Sequence, residues 1–480
     1  MASWVGRGTF ALRQHARGAA QLRTNSTWSA VMDQAKRALL GKEGSGGKDA
    51  VASLVRDPLD VVGSELSALR HNITSLLGSG HPSLDRIARY YFQAEGKHVR
   101  PMIVLLIAKA TNGLSGAWNA QRAAHVGEGV DRAISPTDVL NDEPPGARRA
   151  GPPPCPGTAA PPAAEPMLAD VILPTQRRLA EITEMIHVAS LLHDDVIDAS
   201  DTRRGAPSAP STFGNKLSIL GGDFLLGRAS IALARLRDAE VTELMSTVIA
   251  NLVEGEVMQM RSAATDSVPV TDVHSSLPNL DAVDAFWPPG EPGVEPTRER
   301  FEQYLQKTYL KTASLMAKSA RSSAVLGGCS ERVATQYGLS TAAQQDACRV
   351  CDAAYQFGRN AGLAFQLVDD LLDFKSTSEA FGKPSGGADL KLGLATAPVL
   401  YAWKQFPHSA LRELVPRKFS QPGDVPTAME LILRSDGLER TAQLAKYHAD
   451  LASKALEPLP ESDARKALLA LTEQIVQRIR

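Results

Sequence analysis

The segment RRLAEITEMIHVASLLHDD, residues 177–195, sets the strongest limit on what this chain folds into. Its apolar residues Leu179, Ile182, Ile186, Ala189 and Leu192 are spaced by three and four, the repeat of one face of an α-helix. The same repeat runs through Leu217–Leu236, Val241–Met260, Phe301–Leu326, Ala353–Phe374 and Ala464–Ile479. No alternating run of strand type competes with it. The spacing predicts an all-α protein. The chain has 480 residues, enough for a large core or two to three domains by length alone. Its net charge of −1 gives no general basic surface for nucleic acid. The longest unbroken apolar run, Met102–Ala108, falls far short of the roughly 20 residues that cross a bilayer, so no spanning helix is expected.

Three regions stand outside the helical pattern. Residues 1–32 carry Arg7, Arg13, Arg17 and Arg23 among Ser, Ala and Gly, and no acidic residue precedes Asp33. That composition predicts a mitochondrial transit peptide. Residues 113–167 include EPPGARRAGPPPCPGTAAPPAAEP, and residues 264–298 include Pro269, Pro278, Pro288, Pro289, Pro292 and Pro296. Proline this dense holds neither a helix nor a central strand, so both stretches are expected to be flexible surface inserts in a domain spanning residues 50–480. Four cysteines build no secreted disulfide framework in a chain this long. Cys348 and Cys351 form a C-x-x-C with no second pair at metal-site spacing, and read as two free thiols one helical turn apart.

Two aspartate clusters recur. The first is Asp194, Asp195 and Asp198, and the second is Asp369, Asp370 and Asp373. In a helix, positions i and i+4 share a face, so Asp194 points with Asp198 and Asp369 with Asp373. Carboxylates so close repel one another unless positive charge joins them. Solvated acidic helix ends are the plainer reading of one such cluster. Two copies, 175 residues apart and each closing an apolar helix, favour a hard cation. Mg²⁺ typically takes one or two carboxylates plus substrate phosphates, so facing clusters suit a diphosphate held through shared metal. Basic residues complete the pattern: Arg203 and Arg204 after the first cluster, Lys97 and Arg100 in GKHVRP, Lys311 beside Thr312 in YLKTA, and Lys383 and Lys391 in FGKPSGGADLK. Each alone reads as surface charge. Together they supply positive charge for two separate diphosphates.

On these residues the chain resembles the all-trans polyprenyl diphosphate synthases, and among them the mitochondrial enzymes that make the ubiquinone side chain. DDVIDASDTRRGAP fits the first Asp-rich motif and GLAFQLVDDLLDF the second. GKHVRP fits G-K-x-x-R-P with His98 where many members have arginine; NLVEGEVMQM, YLQKTYLKTASL and ADLKLGLATAPVL also fit. The resemblance implies an isoprenoid synthase helical bundle around a central cavity, usually dimeric. It implies that Asp194, Asp198 and Asp369 bind Mg²⁺, with Asp195, Asp370 and Asp373 in support. It places Arg203, Lys311 and Lys383 on the diphosphate of an allylic primer, farnesyl or geranylgeranyl diphosphate. Lys97, Arg100, His187 and Arg204 fall to the diphosphate of isopentenyl diphosphate. Thr312 and Gln366 stand where the family stabilises the cation and the departing group. One departure is the run Gly393, Leu394, Ala395 and Thr396, where many relatives carry a phosphate-binding lysine.

The reaction implied is head-to-tail prenyl transfer. The residues one turn before Asp194, Ala189 and Ser190, are small where short-chain relatives carry bulky aromatics, which predicts an open channel and a product of six to ten isoprene units. Such a product is insoluble in water, so peripheral contact with the matrix side of the mitochondrial inner membrane is expected, for a homodimer or a heteromer. A class I terpene cyclase typically lacks the second D-D-x-x-D and has no use for GKHVRP. A non-catalytic subunit tends to lose the Asp clusters. A geranylgeranyl diphosphate synthase is disfavoured by the presequence and by LGLATAP.

Overall fold

The computed structural model describes residues 56–77, 81–93, 98–125, 130, 171–203, 206–261, 286–287, 295–375 and 387–478. All belong to one compact unit spanning residues 55–480. The expected transit peptide, residues 1–32, and most of both inserts lie outside the described residues.

In chain order the helices are α1 (Pro58–Leu76), α2 (Pro82–Gln93), α3 (Val99–Thr111), α4 (Trp118–His125), α5 (Pro174–Ile197), α6 (Ala209–Phe213), α7 (Asn215–Arg235) and α8 (Ala239–Arg261). Next come α9 (Arg298–Thr308), a π-helical turn (Tyr309–Ala313), α10 (Ser314–Leu326), α11 (Glu331–Gln336) and α12 (Thr341–Lys375). The last are α13 (Ala388–Lys391), α14 (Ala397–Gln405), α15 (Leu411–Leu414), α16 (Asp424–Arg434), α17 (Gly437–Ala455) and α18 (Asp463–Gln477). Between α5 and α6 a two-residue ribbon pairs β1 (Thr202–Arg203) with β2 (Ala206–Pro207). The all-α expectation holds.

Helix α3 explains the architecture. Met102–Ala108 is apolar all round, and a helix without a polar face must be enclosed. Every residue of that run is buried, and α1, α5, α10, α12 and α18 surround it. The bundle is built about this axis. Helix ends show ordinary capping: Asp57 accepts from the Leu59 amide at 3.0 Å with Pro58 at the first helical position, and Ser462 accepts from the Arg465 amide at 3.1 Å. By length and composition α7 would pass for a membrane span, at mean hydropathy 1.4. Lys216, Asp223 and Arg228 break its apolar runs, and it lies along α5 as a bundle helix with Gly221 pressed against Ile87.

Two expected loops reach into ordered structure. Helix α4 falls inside the first insert. In the second, Trp287 is buried and stacks on Phe301 at a ring separation of 4.4 Å, so this stretch is pinned to the bundle by an aromatic anchor.

Candidate active site

The first cluster closes α5. Asp198 caps that helix, its amide donating to the Asp194 carbonyl at 2.8 Å. Among the described residues the Asp194 and Asp198 carboxylates accept no hydrogen bond. Burial pushes Asp194 up to about 6; Glu256 and Asp198 add to the rise, while Lys311 and Arg203 oppose it. Asp198 is raised for the same first reason. Lys311 reaches this cluster from the π turn and pairs with Glu256 on α8. Gly255 permits the approach, since a Cβ there would stand 2.6 Å from Lys311 Cγ.

Asp195 is different. It is fully buried, accepts from Arg203 Nε at 2.8 Å and from Arg203 Nη2 at 2.6 Å, and receives the Tyr91 hydroxyl. The Tyr91 oxygen in turn accepts from the Ala209 amide at 2.8 Å. Arg203 is thus held by a bidentate, charge-assisted pair at the edge of the cluster. A cavity of about 220 Å³ opens beside it, lined among others by Tyr90, Tyr91, His98, Glu184 and Arg203.

GKHVRP meets α5 here. His98 has left-handed backbone angles, φ 43°, so the helix starts only at Val99. His98 Nδ1 lies 3.1 Å from Glu184 Oε1. Arg100 Nη1 donates to His187 Nε2 at 3.1 Å, which joins two of the residues expected at one substrate. Because arginine only donates, the proton of a neutral His187 sits on Nδ1.

The second cluster closes α12. Asp369 accepts from Arg478 Nη2 at 2.7 Å. Asp370 is buried, accepts from the Tyr304 hydroxyl at 2.6 Å and from Gln366 Nε2 at 2.8 Å, and Gln366 Oε1 accepts from the Thr312 hydroxyl at 2.8 Å. Asp373 accepts from the amides of Ala388 at 2.9 Å and Asp389 at 3.0 Å, so it caps α13. Burial, then Asp370 and Asp373, lift Asp389 to about 8. A π turn inserts one extra residue into the helical ladder and re-aims the side chains around it, a feature frequent at functional sites. Here it presents both Lys311 and Thr312.

Lys97, Arg204 and Lys383 lie outside the described residues. Ser190 shares the face of Asp194 and turns its hydroxyl onto the His187 carbonyl at 2.8 Å. Ala189, fully buried, faces the core. Spacing alone did not reveal Tyr91, Tyr304, Glu256, Asp389 or Arg478. Glu256, Tyr304 and Asp389 lie inside segments that already carried signal, whereas nothing local marks Arg478.

For a divalent metal the fit is favourable on charge. Asp194 and Asp198 are both raised, Asp198 adds to the rise of Asp194, and among the described residues their carboxylates have no hydrogen-bond donors, which is the state a cation relieves. Among the described residues no three His, Cys, Asp or Glu side chains cluster tightly enough to hold a metal by themselves.

A helical bundle with two aspartate-closed helices, one facing lysine and arginine, is built to handle anionic substrates with cations. Residues 163–432 match the family model described as polyprenyl synthetase, and the chain belongs to that family. It is 49% identical over 423 residues to the probable mitochondrial hexaprenyl pyrophosphate synthase of Neurospora crassa, covering 88% of this chain and 82% of that protein. It is 38% identical to decaprenyl-diphosphate synthase subunit 1 of Schizosaccharomyces pombe, covering 88% and 92%. The crystal structure of a decaprenyl diphosphate synthase from Rhodobacter capsulatus superposes with a TM-score of 0.60 at 25% identity, covering 88% and 98%. A Caulobacter crescentus polyprenyl synthase solved with calcium and isoprenyl diphosphate shares the fold, with a TM-score of 0.59 at 24% identity, covering 88% and 96%.

Proposed function

We propose that this chain is a mitochondrial trans-polyprenyl diphosphate synthase that extends farnesyl or geranylgeranyl diphosphate with successive isopentenyl diphosphates to a C30–C50 product, the side chain of ubiquinone. The observation that carries the reading is the Asp194–Asp198 pair, raised by burial, without hydrogen bonds to its carboxylates among the described residues, and faced by Lys311 and Arg203. Asp194, Asp198 and Asp369 hold the divalent metal, which on this reading is Mg²⁺. When bound, the metal supplies positive charge to the leaving diphosphate.

The chain's own residues do the rest. Arg203, Lys311 and Lys383 bind the allylic diphosphate and favour heterolysis of its C–O bond. Arg100, with His187 against it, and Lys97 and Arg204 orient isopentenyl diphosphate so that its double bond attacks the allylic carbon. A new C–C bond forms, a proton leaves the product cation for the released pyrophosphate, and the diphosphate of the added unit remains on the product. Thr312 and Gln366 face the transient allylic cation. Ala189 and Ser190 leave the growing chain room to pass. The work is positioning and electrostatics; no covalent enzyme intermediate is involved. The assembly is a homodimer or a heteromer at the matrix face of the inner membrane, and the naming of the fission-yeast relative as a subunit supports considering both.

Product sizing tests the reading. The purified chain is incubated with farnesyl diphosphate, labelled isopentenyl diphosphate and Mg²⁺, and the dephosphorylated products are sized by reverse-phase chromatography. A C30–C50 polyprenol is expected. A C20 product would assign the chain to geranylgeranyl diphosphate synthases. No product alone, with activity restored by a mitochondrial extract, would make it one half of a heteromer.

A further inference from the structure

Two ties join the start of α3 to one face of α5. His98 Nδ1 lies 3.1 Å from Glu184 Oε1, and Arg100 Nη1 donates to His187 Nε2 at 3.1 Å. Glu184 and His187 are three residues apart on α5 and so share a face. With Glu184 as the acceptor, His98 Nδ1 is the donor. The Glu184 side chain is 9% exposed, and a carboxylate so enclosed needs a donor to stay in place.

His98 links this contact to the helix. Its carbonyl accepts from the Met102 amide at 3.0 Å, so the first turn of α3 is wound from it. Its left-handed backbone is disfavoured for a residue that carries a Cβ. Its side chain caps no amide of α3. The ring is turned to Glu184 instead, and that contact holds the strained residue against α5. Arg100 stands two residues on, inside the turn that His98 begins. His98 and Glu184 both line the cavity of about 220 Å³ beside Arg203, so their contact lies at the edge of the site and not in the core.

We propose that Glu184 is a positioning residue for isopentenyl diphosphate: through His98 it fixes where α3 starts, and so where Arg100 reaches. The inference rests on the reading of Arg100 as a residue that binds this substrate. The two ties act at different levels. His187 steadies the guanidinium once the helix has brought it there, whereas Glu184 sets the backbone from which it extends.

The test is initial-rate kinetics of labelled isopentenyl diphosphate incorporation, with each diphosphate varied in turn. Glu184→Ala should raise the KM for isopentenyl diphosphate about 10-fold or more, the size of one lost charge-assisted contact. The diphosphate of this substrate does not react, so its contacts are the same before and during the transfer, and kcat should hold within about 3-fold. The KM for farnesyl diphosphate should move less than about 2-fold, because Arg203 and Lys311 are untouched. Glu184→Gln keeps an acceptor oxygen on a side chain of the same length, and should stay within about 3-fold of wild type throughout. On the Arg100→Ala background Glu184→Ala should add almost nothing, since its effect passes through that guanidinium. Where Glu184→Ala does not fold, His98→Ala removes the same hydrogen bond from its other end and carries the same expectation.

A wild-type KM for isopentenyl diphosphate in folded Glu184→Ala, beside a raised one in Arg100→Ala, overturns this proposal alone. So does a Glu184→Gln protein as impaired as Glu184→Ala, a set of losses that multiply in the double variant, or an equal rise in both KM values, the mark of a loosened fold. A wild-type KM in Arg100→Ala overturns the placement of Arg100 under the proposed function, and the positioning role of Glu184 with it.

Discussion

Replacing Asp194 with asparagine should stabilise the metal-free protein while it removes activity. Burial lifts the Asp194 carboxyl from 3.8 to about 6. A rise of roughly two pH units costs folding about 3 kcal/mol once the group is charged. Proton binding sets the sign. The folded state holds this proton more tightly than the unfolded chain, so the stability is fully present below 3.8 and is lost as pH rises through about 6. Linkage puts the penalty at about 3 kcal/mol at pH 7.5, about 1.6 at pH 5 and about 0.5 at pH 4. Asparagine carries no charge, but its buried amide has hydrogen-bonding needs of about 1 kcal/mol, which leaves a net gain of roughly 2 kcal/mol at pH 7.5.

Urea unfolding in EDTA, monitored by far-UV circular dichroism from pH 7.5 to pH 4, measures this directly. The variant should be the more stable protein at pH 7.5, and the gap should close towards pH 4. Added Mg²⁺ should reverse the order at pH 7.5, because metal binds the folded wild type and stabilises it by mass action. Turnover of the variant should fall by orders of magnitude. An Asp194→Asn protein less stable than wild type at pH 7.5, or a gap that ignores pH, would show that burial does not strain this carboxylate.

Three further outcomes are expected. His448 is buried against Asn360 and pushed down to about 3, so its stability is present above the usual 6.5 and is lost as pH falls; about 2 kcal/mol should disappear between pH 7.5 and pH 5, and urea midpoints of His448→Gln should lack that loss. Gly362→Ala would set a Cβ 2.6 Å from Ala313 Cα and force α12 away from the π turn. It should lower the melting point by the equivalent of about 1–3 kcal/mol and cut kcat more than about tenfold by parting Gln366 from Thr312, whereas full turnover in a folded variant would show that this close approach is dispensable. Ser190→Phe should shorten the product, because Ser190 shares the Asp194 face; Ala189→Phe should shorten it too, at a further cost of about 1–3 kcal/mol of overpacking in the core, and an unchanged chromatogram for both would remove the channel reading.

The bundle was legible where helices are long and periodic. Asn215–Arg235 and Asp463–Gln477 match the spacing to within two residues at each end, because a half-buried helix writes its 3.6-residue period into the sequence. The start of α12 was not legible: Thr341–Asp352 is polar on most of its surface and helical through its continuity with the buried remainder. The π turn is invisible for the opposite reason, since one extra residue within a continuous apolar pattern leaves the period almost unchanged. Trp287 was equally hidden, because the proline around it outweighs one aromatic residue whose partners, Phe301 and Tyr401, only the fold supplies.

The two aspartate motifs separate these levels most sharply. In sequence, the paired aspartates of each D-D-x-x-D look equivalent, yet adjacent residues on a helix point about 100° apart, so both cannot face one site. The first of each pair stays partly exposed, and the second turns inward: Asp195 is 0% exposed and Asp370 is 4% exposed. A buried carboxylate without donors would cost several kcal/mol, so each inward aspartate needs a partner set inside the protein. The fold supplies the same kind twice, a tyrosine hydroxyl with a side-chain donor: Tyr91 with Arg203 for Asp195, and Tyr304 with Gln366 for Asp370. Helix geometry predicts that such partners exist. It does not identify them, because Tyr91 lies 104 residues from Asp195 and Tyr304 lies 66 from Asp370. Tyr91 is therefore tied to its site by tertiary packing alone, and Tyr304, although it opens the segment YLQKTYLKTASL, is joined to Asp370 only by the fold; that is why an aspartate motif can be found by its spacing while the partners that keep half of its charge out of the site cannot.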